Sequence, residues 1–526
     1  MIDTKALREK VLDLAIRGKL VPQDPSDEPA SVLLERIRAE KEQMVKEGKL
    51  KPKDIKNDTI IFKADDNLHY EQFRDGTVKC IEDEIPFELP ESWEWSRFSS
   101  AFIINPRNNL PDDTEVSFVP MPLIQEAYAN NHTYEERLWR SIKSGFTHFA
   151  DNDIGVAKIT PCFENKKSVV FKNLKNGYGA GTTELHIIRT ISDYIYPEYV
   201  LWNLKTDSFI TNGINAFSGA VGQKRIGRYF IENSLIPIPP THEQKRIIDY
   251  ISLAFIYIDK IDKSKESLKV DINVIKSKIL DLAIRGKLVP QNPDDEPATV
   301  LLERIRAEKE ELIKQGKIKR DKKESVIFKG EDNSYYIQTG EQVEDITAWE
   351  LDGLPENWDI CILGEICDYG SCTKVETDQI SDDEWILDLE DIEKNSGKVL
   401  CKTRKLERNA VSTKHKFSKG QVLYSKLRPY LNKVVLAEED GYCTSEILPL
   451  KFLDTITPQY ARYYLMSPTF LKYADRCSYG VKMPRLSTTD GKKAVFTIPP
   501  INEQLRIVTA IETAFIQLDE ILNIIA

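Results

Sequence analysis

The longest apolar pattern in the chain lies between His242 and Arg285, a stretch without glycine or proline. Its apolar residues recur at intervals of four and three, interrupted only at Lys265. The positions are Ile247, Ile251, Ala254, Ile258, Ile261, Leu268, Ile272, Ile275, Ile279 and Leu282. A spacing of about 3.5 residues over several heptads predicts a coiled-coil helix. Thr241 and Gln244, directly after two prolines, predict a capping box at its start.

The chain also repeats itself. Residues 12–42 and 280–310 are identical at 28 of 31 positions, at a constant offset of 268. Two shorter pairs are IPPTHEQKRI with IPPINEQLRI, starting at Ile238 and Ile498, and LPESWEW with LPENWDI, starting at Leu89 and Leu354. Two stretches of about 145 residues between these shared blocks are far less alike. The pattern indicates a duplicated architecture with one variable region in each half.

The second copy of the long helix is divided between the two ends of the chain. Residues 502–526 correspond to 242–266, and residues 3–17 correspond to 271–285. We therefore expect the central helix to run antiparallel to a composite helix made from both termini, with one variable domain at each end. A helix from His242 to Arg285 would span roughly 66 Å at about 1.5 Å per residue. The simplest such arrangement is closed and pseudo-twofold.

The expected fold class is α+β, with two mixed α/β domains separated by a long antiparallel two-helix coiled-coil spacer. Gly18 and Gly286 each follow an arginine and suit the residue just beyond a helix end. An amphipathic helix is expected after each of them. The expected divisions are a shared helical segment 1–50, a connector 51–88, a variable domain 89–240, spacer helices 241–320, a connector 321–353, a second variable domain 354–500 and a shared helix 501–526.

Composition indicates a globular protein, with 41% hydrophobic residues and a net charge of −11. No apolar run approaches the roughly 20 residues that span a bilayer, so we expect a cytoplasmic protein without a membrane partner. The eight cysteines form no CxxC pair, and the spacing of Cys361, Cys367 and Cys372 matches no common zinc pattern. Buried free thiols and no metal site are therefore expected.

The variable domains contain basic loops between predicted strands. Residues 155–189 hold six Lys or Arg and two acidic residues, and residues 402–436 hold ten and one. Lys and Arg bind phosphates, while Asn, Gln and Arg can make bidentate contacts to base edges. The candidate DNA-binding residues are Lys158, Thr160, Asn165, Lys166, Lys167, Gln223, Lys224 and Arg225 in the first domain and Tyr424, Lys426, Arg428, Tyr430, Asn432, Lys433, Lys482 and Arg485 in the second.

Motifs for catalysis are missing from the sequence. No GxxxxGK[ST] phosphate loop occurs, and Asn105-Pro106-Arg107 fails the Asn/Asp-Pro-Pro-aromatic motif of amino-methyltransferases. We expect no catalytic residue and no cofactor in this chain. A coiled-coil scaffold displaying two protein-binding domains is the alternative, and it would bind its partners almost independently of salt. A self-contained nuclease or methyltransferase would be active as the purified chain alone.

Several motifs together resemble the specificity subunit of type I restriction–modification enzymes over nearly the whole chain. They are the helix starts PIPPTHEQKRI and TIPPINEQLRI, the LDLAIRGKLVPQ ends, LPESWEW and LPENWDI, and the segments ITPCFENKK and KLRPYLNKV. The resemblance implies that each target-recognition domain reads half of a bipartite sequence in the major groove of double-stranded DNA. It also implies that two methyltransferase (modification) subunits dock on the conserved helices and that restriction subunits join them. Those partners would bring S-adenosylmethionine, ATP and the chemistry.

Overall fold

The computed structural model describes residues 2–219, 223–316, 325–332, 334–346, 353–408 and 412–525. The chain divides into two compact units, residues 2–264 and 265–526, called here the first and second unit. Each unit combines helices with small sheets, so the expected mixed α/β class is confirmed. Among the described helices, none is long and apolar enough to cross a membrane.

The helices are short within the variable regions and long in the shared regions. The first unit contains α1 Thr4–Ile16, α2 Ala30–Lys46, α3 Phe98–Ala101, α4 Trp139–Ile142, α5 Pro197–Leu204, α6 Asp207–Asn215, α7 Arg228–Asn233 and the first part of α8 Thr241–Ile284. The second unit contains the rest of α8 and α9 Ala298–Lys314, α10 Leu363–Ile366, α11 Pro458–Leu465, α12 Pro468–Arg476, α13 Thr488–Lys493 and α14 Ile501–Ile525.

The described part of the first unit has four small sheets. Its strands are β1 Thr59–Lys63, β2 His69–Phe73, β3 Val78–Cys80, β4 Glu94–Arg97, β5 Phe102–Ile104, β6 Glu115–Val119, β7 Glu135–Leu138, β8 Thr147–Ala150, β9 Ile154–Ala157, β10 Ser168–Val170, β11 Tyr178–Gly181, β12 Leu185–Thr190 and β13 Leu235–Ile238. Their orders are β1-β2-β3, β10-β9-β12-β5, β7-β6-β11-β8 and β13-β4. The pair β13-β4 joins the two ends of the variable region in antiparallel register.

The described part of the second unit also has four sheets. Its strands are β14 Ser325–Lys329, β15 Tyr335–Thr339, β16 Gln342–Asp345, β17 Asp359–Ile362, β18 Thr373–Val375, β19 Trp385–Leu387, β20 Thr403–Arg404, β21 Lys414–Phe417, β22 Val422–Ser425, β23 Val434–Leu436, β24 Gly441–Thr444, β25 Ile447–Leu450 and β26 Val495–Ile498. Their orders are β14-β15-β16, β17-β26, β18-β21-β24-β19-β20 and β23-β22-β25. The pair β17-β26 closes this variable region as β4-β13 closes the first.

The predicted long helix is confirmed as α8, but its start and its apolar stripe differ from expectation. The predicted capping box is wrong, because Thr241 lies inside the helix and its hydroxyl donates to Tyr194 O at 3.0 Å. The Gln244 amide instead donates to Pro239 O at 3.0 Å. The stripe is only partly buried, since Leu268 and Ile275 are 36% and 45% exposed.

In each unit an ion pair joins two of the shared helices at equivalent positions. In the first unit, Arg8 on α1 forms an ion pair with Asp259 on α8 at 2.5 Å. In the second unit, Lys276 on α8 forms the equivalent ion pair with Asp519 on α14, also at 2.5 Å. The two pairs are related by the offsets of 268 and 260 that relate the repeated sequences.

The predicted connectors contain folded structure that the sequence analysis missed. Residues 51–88 include the three-stranded meander β1-β2-β3, and the described part of 321–353 includes the equivalent meander β14-β15-β16. Residues 321–324, 333 and 347–352 lie outside the described residues. The strands of the two meanders are only three to five residues long, so the alternation of apolar and polar residues gave a weak signal for them.

The predicted glycine ends of the helices are confirmed. Gly18 has φ +64° and Gly286 has φ +67°, both in the left-handed region that favours glycine. After α1, Lys19 N donates to Leu14 O at 2.9 Å and Gly18 N donates to Ala15 O at 3.3 Å, which is a Schellman motif. The turn places Gly18 against the ring of Pro90, at the start of the variable region.

We expect Gly18→Ala to destabilise the first unit more than Gly48→Ala. Both glycines have positive φ, but a Cβ at Gly18 would lie 2.9 Å from Pro90 Cδ, whereas a Cβ at Gly48 would meet nothing within 4 Å. Backbone strain is therefore matched, and the additional loss for Gly18→Ala should be about 1–3 kcal/mol from overpacking. Thermal or urea unfolding of the full chain measures it. Equal losses in the two variants would contradict the close contact.

Candidate nucleic-acid interface

The predicted basic segments form two hairpins with the same layout. In the first unit β9 pairs antiparallel with β10, and residues 158–167 connect them. In the second unit β22 pairs antiparallel with β23, and residues 426–433 connect them. The strand–loop–strand reading of both segments is therefore confirmed.

Each hairpin loop is held by a second loop that follows the helical part of its domain. In the first unit, Thr160 N donates to Lys224 O at 3.1 Å and Ile226 N donates to Lys158 O at 2.9 Å. In the second unit, Arg428 N donates to Pro484 O at 2.7 Å and Leu486 N donates to Lys426 O at 3.0 Å. The two basic loops of each domain are therefore one connected structure.

A bidentate ion pair fixes each of these loop pairs. The Arg225 guanidinium donates to both carboxylate oxygens of Glu184 at 2.9 Å. The Arg485 guanidinium donates to Glu446 in the same way, at 3.0 Å and 2.9 Å. The bonds from Arg225 hold the pKa of the Glu184 carboxyl below its ordinary value. In this structure the forks of both arginines are occupied by carboxylates, an arrangement that positions the loops and differs from a bidentate contact to guanine.

Glu184 and Glu446 are two positioning residues of these loops that the sequence analysis missed. Lys158 N donates to Glu184 O and Lys426 N donates to Glu446 O, each at 3.0 Å, so both glutamates also align the first lysine of the hairpin loop. The available signal was the pair Thr-Thr-Glu-Leu and Thr-Ser-Glu-Ile, which ends at Leu185 and Ile447.

Two buried lysines hold the hairpin loop of the first unit in place through contacts on its buried side. Lys166 forms ion pairs with Glu9 of α1 and, at 2.7 Å, with Asp207 at the start of α6. Lys205 donates to Ala127 O at 2.7 Å and to Lys166 O at 2.9 Å. Lys166 is therefore an anchor of the loop, and its assignment as a DNA contact is corrected.

Two further assignments are corrected in the second unit. Tyr424 is 2% exposed and packs edge-on against Phe470, so its ring belongs to the apolar core. Burial raises the pKa of its phenol. Asn432 is also buried, and its amide donates to Met466 O at 3.1 Å. Neither side chain has the accessible surface that a DNA contact needs.

The remaining predicted residues lie at or near the surface of the two loop pairs. Thr160, Lys167 and Lys433 are half-buried, and the amines of Lys167 and Lys433 donate to Met121 O and Leu389 O. Lys158, Lys426 and Arg428 are also half-buried, and Arg428 donates to Lys482 O at 3.3 Å. The exposed members are Asn165, Gln223, Lys224, Tyr430 and Lys482. Val481 and Met483 extend the exposed tip beside Lys482.

A basic cleft of about 470 Å³ opens beside the first loop pair. Arg107, Lys158, Arg225 and Arg228 line it, and of these Arg225 is paired with Glu184 and Arg228 with Glu232. Basic side chains that line one cleft suit a phosphate backbone. Arg107 was not among the predicted residues, because its segment Asn105-Pro106-Arg107 lacks a basic neighbour that would mark it.

Two histidines line the same cleft as neutral groups. Burial lowers the pKa of His186 to about 4, and it also lowers the pKa of His148. His186 Nε2 lies 3.1 Å from Ile226 O, and His148 Nε2 lies 3.0 Å from Lys143 O. Neutral imidazoles that donate from Nε2 keep Nδ1 as an acceptor, so they add polarity to the cleft without adding charge. In the part of the chain that the structure describes, no group of three His, Cys, Asp or Glu could hold a metal ion.

Comparison with known proteins identifies the family. A family model described as "Type I restriction modification DNA specificity domain" matches residues 355–525. The specificity subunit of the type I restriction enzyme EcoAI from Escherichia coli is 33% identical, over 97% of this chain and 88% of that protein. The chain belongs to the type I restriction–modification specificity subunits. The resemblance drawn from the sequence is thereby confirmed, and the chain is a DNA-specificity subunit rather than a catalytic one.

A second relative and a solved structure are also similar to this specificity subunit. The EcoEI specificity subunit from Escherichia coli is 40% identical, over 69% of this chain and 61% of that protein. A crystal structure of the HsdS subunit from Thermoanaerobacter tengcongensis aligns with 83% of this chain and 92% of that chain, with 15% identity and a TM-score of 0.48.

We expect Lys205→Met to flatten the pH dependence of stability in this specificity subunit. Burial, and then the charge of Lys166, lower the pKa of Lys205 to about 7, well below the ordinary value of 10.5 that applies when the chain is unfolded. Between these values the unfolded chain binds more protons, so the free energy of unfolding should rise with pH above about pH 7. Met466 occupies the equivalent helix end in the second unit, so methionine suits this position.

Thermal unfolding at a series of pH values from about 6.5 to about 9.5 measures how the stability depends on pH. The exposed variant Lys224→Met removes the same charge without changing a buried group, and it should keep the wild-type pH dependence. A Lys205→Met protein with the wild-type slope would show that Lys205 is not the titrating group.

Proposed function

We propose that each unit carries one target-recognition domain, residues 89–240 in the first and 354–500 in the second. Each domain reads one half of a split sequence in double-stranded DNA. The paired basic loops approach the DNA, with lysines on phosphates and the exposed polar tips on base edges in the major groove. Asn165 and Gln223 are suited to adenine edges in the first half, and Lys482 is suited to a guanine edge or a phosphate in the second.

The proposal is supported by a set of loop contacts that occurs in both units and is called here the loop frame. Lys158, Glu184 and Arg225 make the same set of contacts in the first unit as Lys426, Glu446 and Arg485 make in the second. The sequences around these residues are otherwise far less alike than the shared helices. A constant frame with variable tips is what two readers of different half-sites require.

The shared segments 1–50, 241–320 and 501–526 are proposed to set the distance between the half-sites. In this proposal α14 and α1 form a composite helix that runs antiparallel to α8, as a coiled-coil spacer with pseudo-twofold symmetry. The equivalent ion pairs Arg8–Asp259 and Lys276–Asp519 support it, because each unit contributes one half of the same helix pair. The segments 51–88 and 321–353 then link the helices to the recognition domains.

The partners follow from this role. We propose that two modification subunits bind the shared segments and methylate the DNA that the chain selects, and that restriction subunits join the assembly. The modification subunits supply S-adenosylmethionine, and the restriction subunits supply ATP and the nuclease. The alternative scaffold without DNA binding is not favoured, because Arg107 and Lys158 line a cleft together with Arg225 and Arg228, whose side chains Glu184 and Glu232 hold in place.

We expect the double variant Lys158→Ala, Arg228→Ala to weaken binding to a duplex that contains the target. Each phosphate contact that is lost should lower the slope of log affinity against log salt by about 0.9. Loss of two contacts should therefore lower the slope by about 1.8, with a similar loss for every sequence. Fluorescence anisotropy of the chain with its modification subunits, over a series of NaCl concentrations, measures both quantities.

The matched control is Lys46→Ala, Lys56→Ala, which removes two exposed cations of the first unit outside the recognition domain. It should keep both affinity and slope. Wild-type binding that is insensitive to salt would favour the scaffold alternative, and an unchanged slope in Lys158→Ala, Arg228→Ala would place the DNA elsewhere.

A further inference from the structure

The two small meanders expose faces that are alike. In β1-β2-β3 the outward positions are Ile60, Phe62, Tyr70, Gln72, Val78 and Cys80, and in β14-β15-β16 the equivalent positions are Val326, Phe328, Tyr336, Gln338, Val343 and Asp345. These are called here the meander faces. Phe62 and Val78 are 37% and 48% exposed, and Phe328 and Val343 are 41% and 55% exposed. Four of the six positions are identical, and a fifth keeps a β-branched aliphatic residue.

The aromatic pair at the centre has the same geometry in both copies. The rings of Phe62 and Tyr70 stack with centroids 6.0 Å apart, and those of Phe328 and Tyr336 stack at 5.7 Å. The tyrosine hydroxyl donates to an aspartate at 2.8 Å in each unit, Asp66 in the first and Asp332 in the second. Each aromatic pair is thus held in one orientation at the surface.

One buried pair of positions beneath the meanders has diverged, although the buried Ile61 and Ile327 are alike. In the first unit, Glu71 forms a buried bidentate ion pair with Arg97, with bonds of 3.0 Å and 2.8 Å. The equivalent positions in the second unit are Ile337 and Ile362, which belong to one apolar cluster. A buried ion pair and an apolar pair are alternative ways to fill the same space.

This distribution is the reverse of what packing alone produces. Positions inside a duplicated fold are constrained by volume and polarity, whereas exposed positions away from a function tolerate substitution. Here the interior exchanged an ion pair for isoleucines while the exposed Phe, Tyr, Gln and Val remained. A constraint must therefore act on the outside of both meanders.

The shared positions also indicate what kind of partner contacts them. None of the five carries a formal charge, so the meander faces offer nothing for phosphate. Aromatic and aliphatic residues on a rigid, exposed surface are typical of the core of a protein–protein interface. Because the surface occurs twice in one chain, it offers equivalent sites for two copies of one partner.

We propose that each meander face is a docking site for one copy of the modification subunit. This inference rests on the proposed function, which supplies a protein partner in two copies. The partner would present an apolar surface to the stacked Phe and Tyr, and the central Gln would lie within the contact. The docking platform therefore includes the segments that the sequence analysis treated as connectors, in addition to the shared helices.

Inserting a charge at the centre of each face tests the inference without disturbing the interior. Gln72 and Gln338 are exposed, so Gln72→Lys and Gln338→Lys should fold with the wild-type melting temperature. Each single variant should lower the affinity of one modification subunit at least tenfold. At a concentration of modification subunit between the two dissociation constants, light scattering should then find one modification subunit per chain instead of two. The double variant should lose both.

The matched control is Gln125→Lys, Gln379→Lys, which makes the same two changes at exposed glutamines outside the meanders. It should bind two modification subunits with wild-type affinity. If Gln72→Lys, Gln338→Lys also bound two copies with that affinity, or changed only DNA binding or self-association, the inference would be overturned while the proposed function stood. If the wild-type chain bound no modification subunit, both would fail together.

Discussion

One buried carboxylate at the start of each long shared helix holds the three shared sequence blocks together. In the first unit Glu243 accepts from the indole of Trp93 at 3.0 Å and from the amide of Gln23 at 2.6 Å. In the second unit Glu503 accepts from Trp358 at 2.9 Å and from Gln291 at 2.6 Å. Burial raises the pKa of both carboxyls, and the donors offset part of that cost. The end of one helix, the start of another and the start of the variable region therefore meet at one point.

This junction explains how the variable regions can differ in sequence while their attachment to the shared helices stays the same. The ends of each variable region are closed by a two-stranded antiparallel pair next to the junction, β4-β13 in one unit and β17-β26 in the other. The Lys–Glu–Arg loop frame then repeats inside the region, although the sheets around it have different orders. A recognition domain on such a frame can change its loop tips without changing how it is attached.

Local patterns predicted the elements, and long-range contacts decided their roles. The 44-residue helix and the glycine ends follow from hydrophobic spacing and backbone conformation, so they were visible in the sequence. The burial of Lys166 and Asn432 could not be predicted, because a loop sequence does not tell which side faces the core. Tyr424 lies on strand β22, and the sequence alone did not tell which face of that strand is buried. Glu184 escaped notice because its partner Arg225 is 41 residues away in a segment without periodicity. The short strands of the meanders gave too little alternation to be recognised.

The central claim is that one chain holds two recognition units that work independently on a common frame. Replacing residues 89–240 with the equivalent residues of a relative that reads another target, and then mapping methylated sites in cells that supply the modification subunits, tests it directly. We predict that one half of the methylated motif changes, while the other half and the gap between them stay the same. A change in both halves, or methylation without any split motif, would contradict the account.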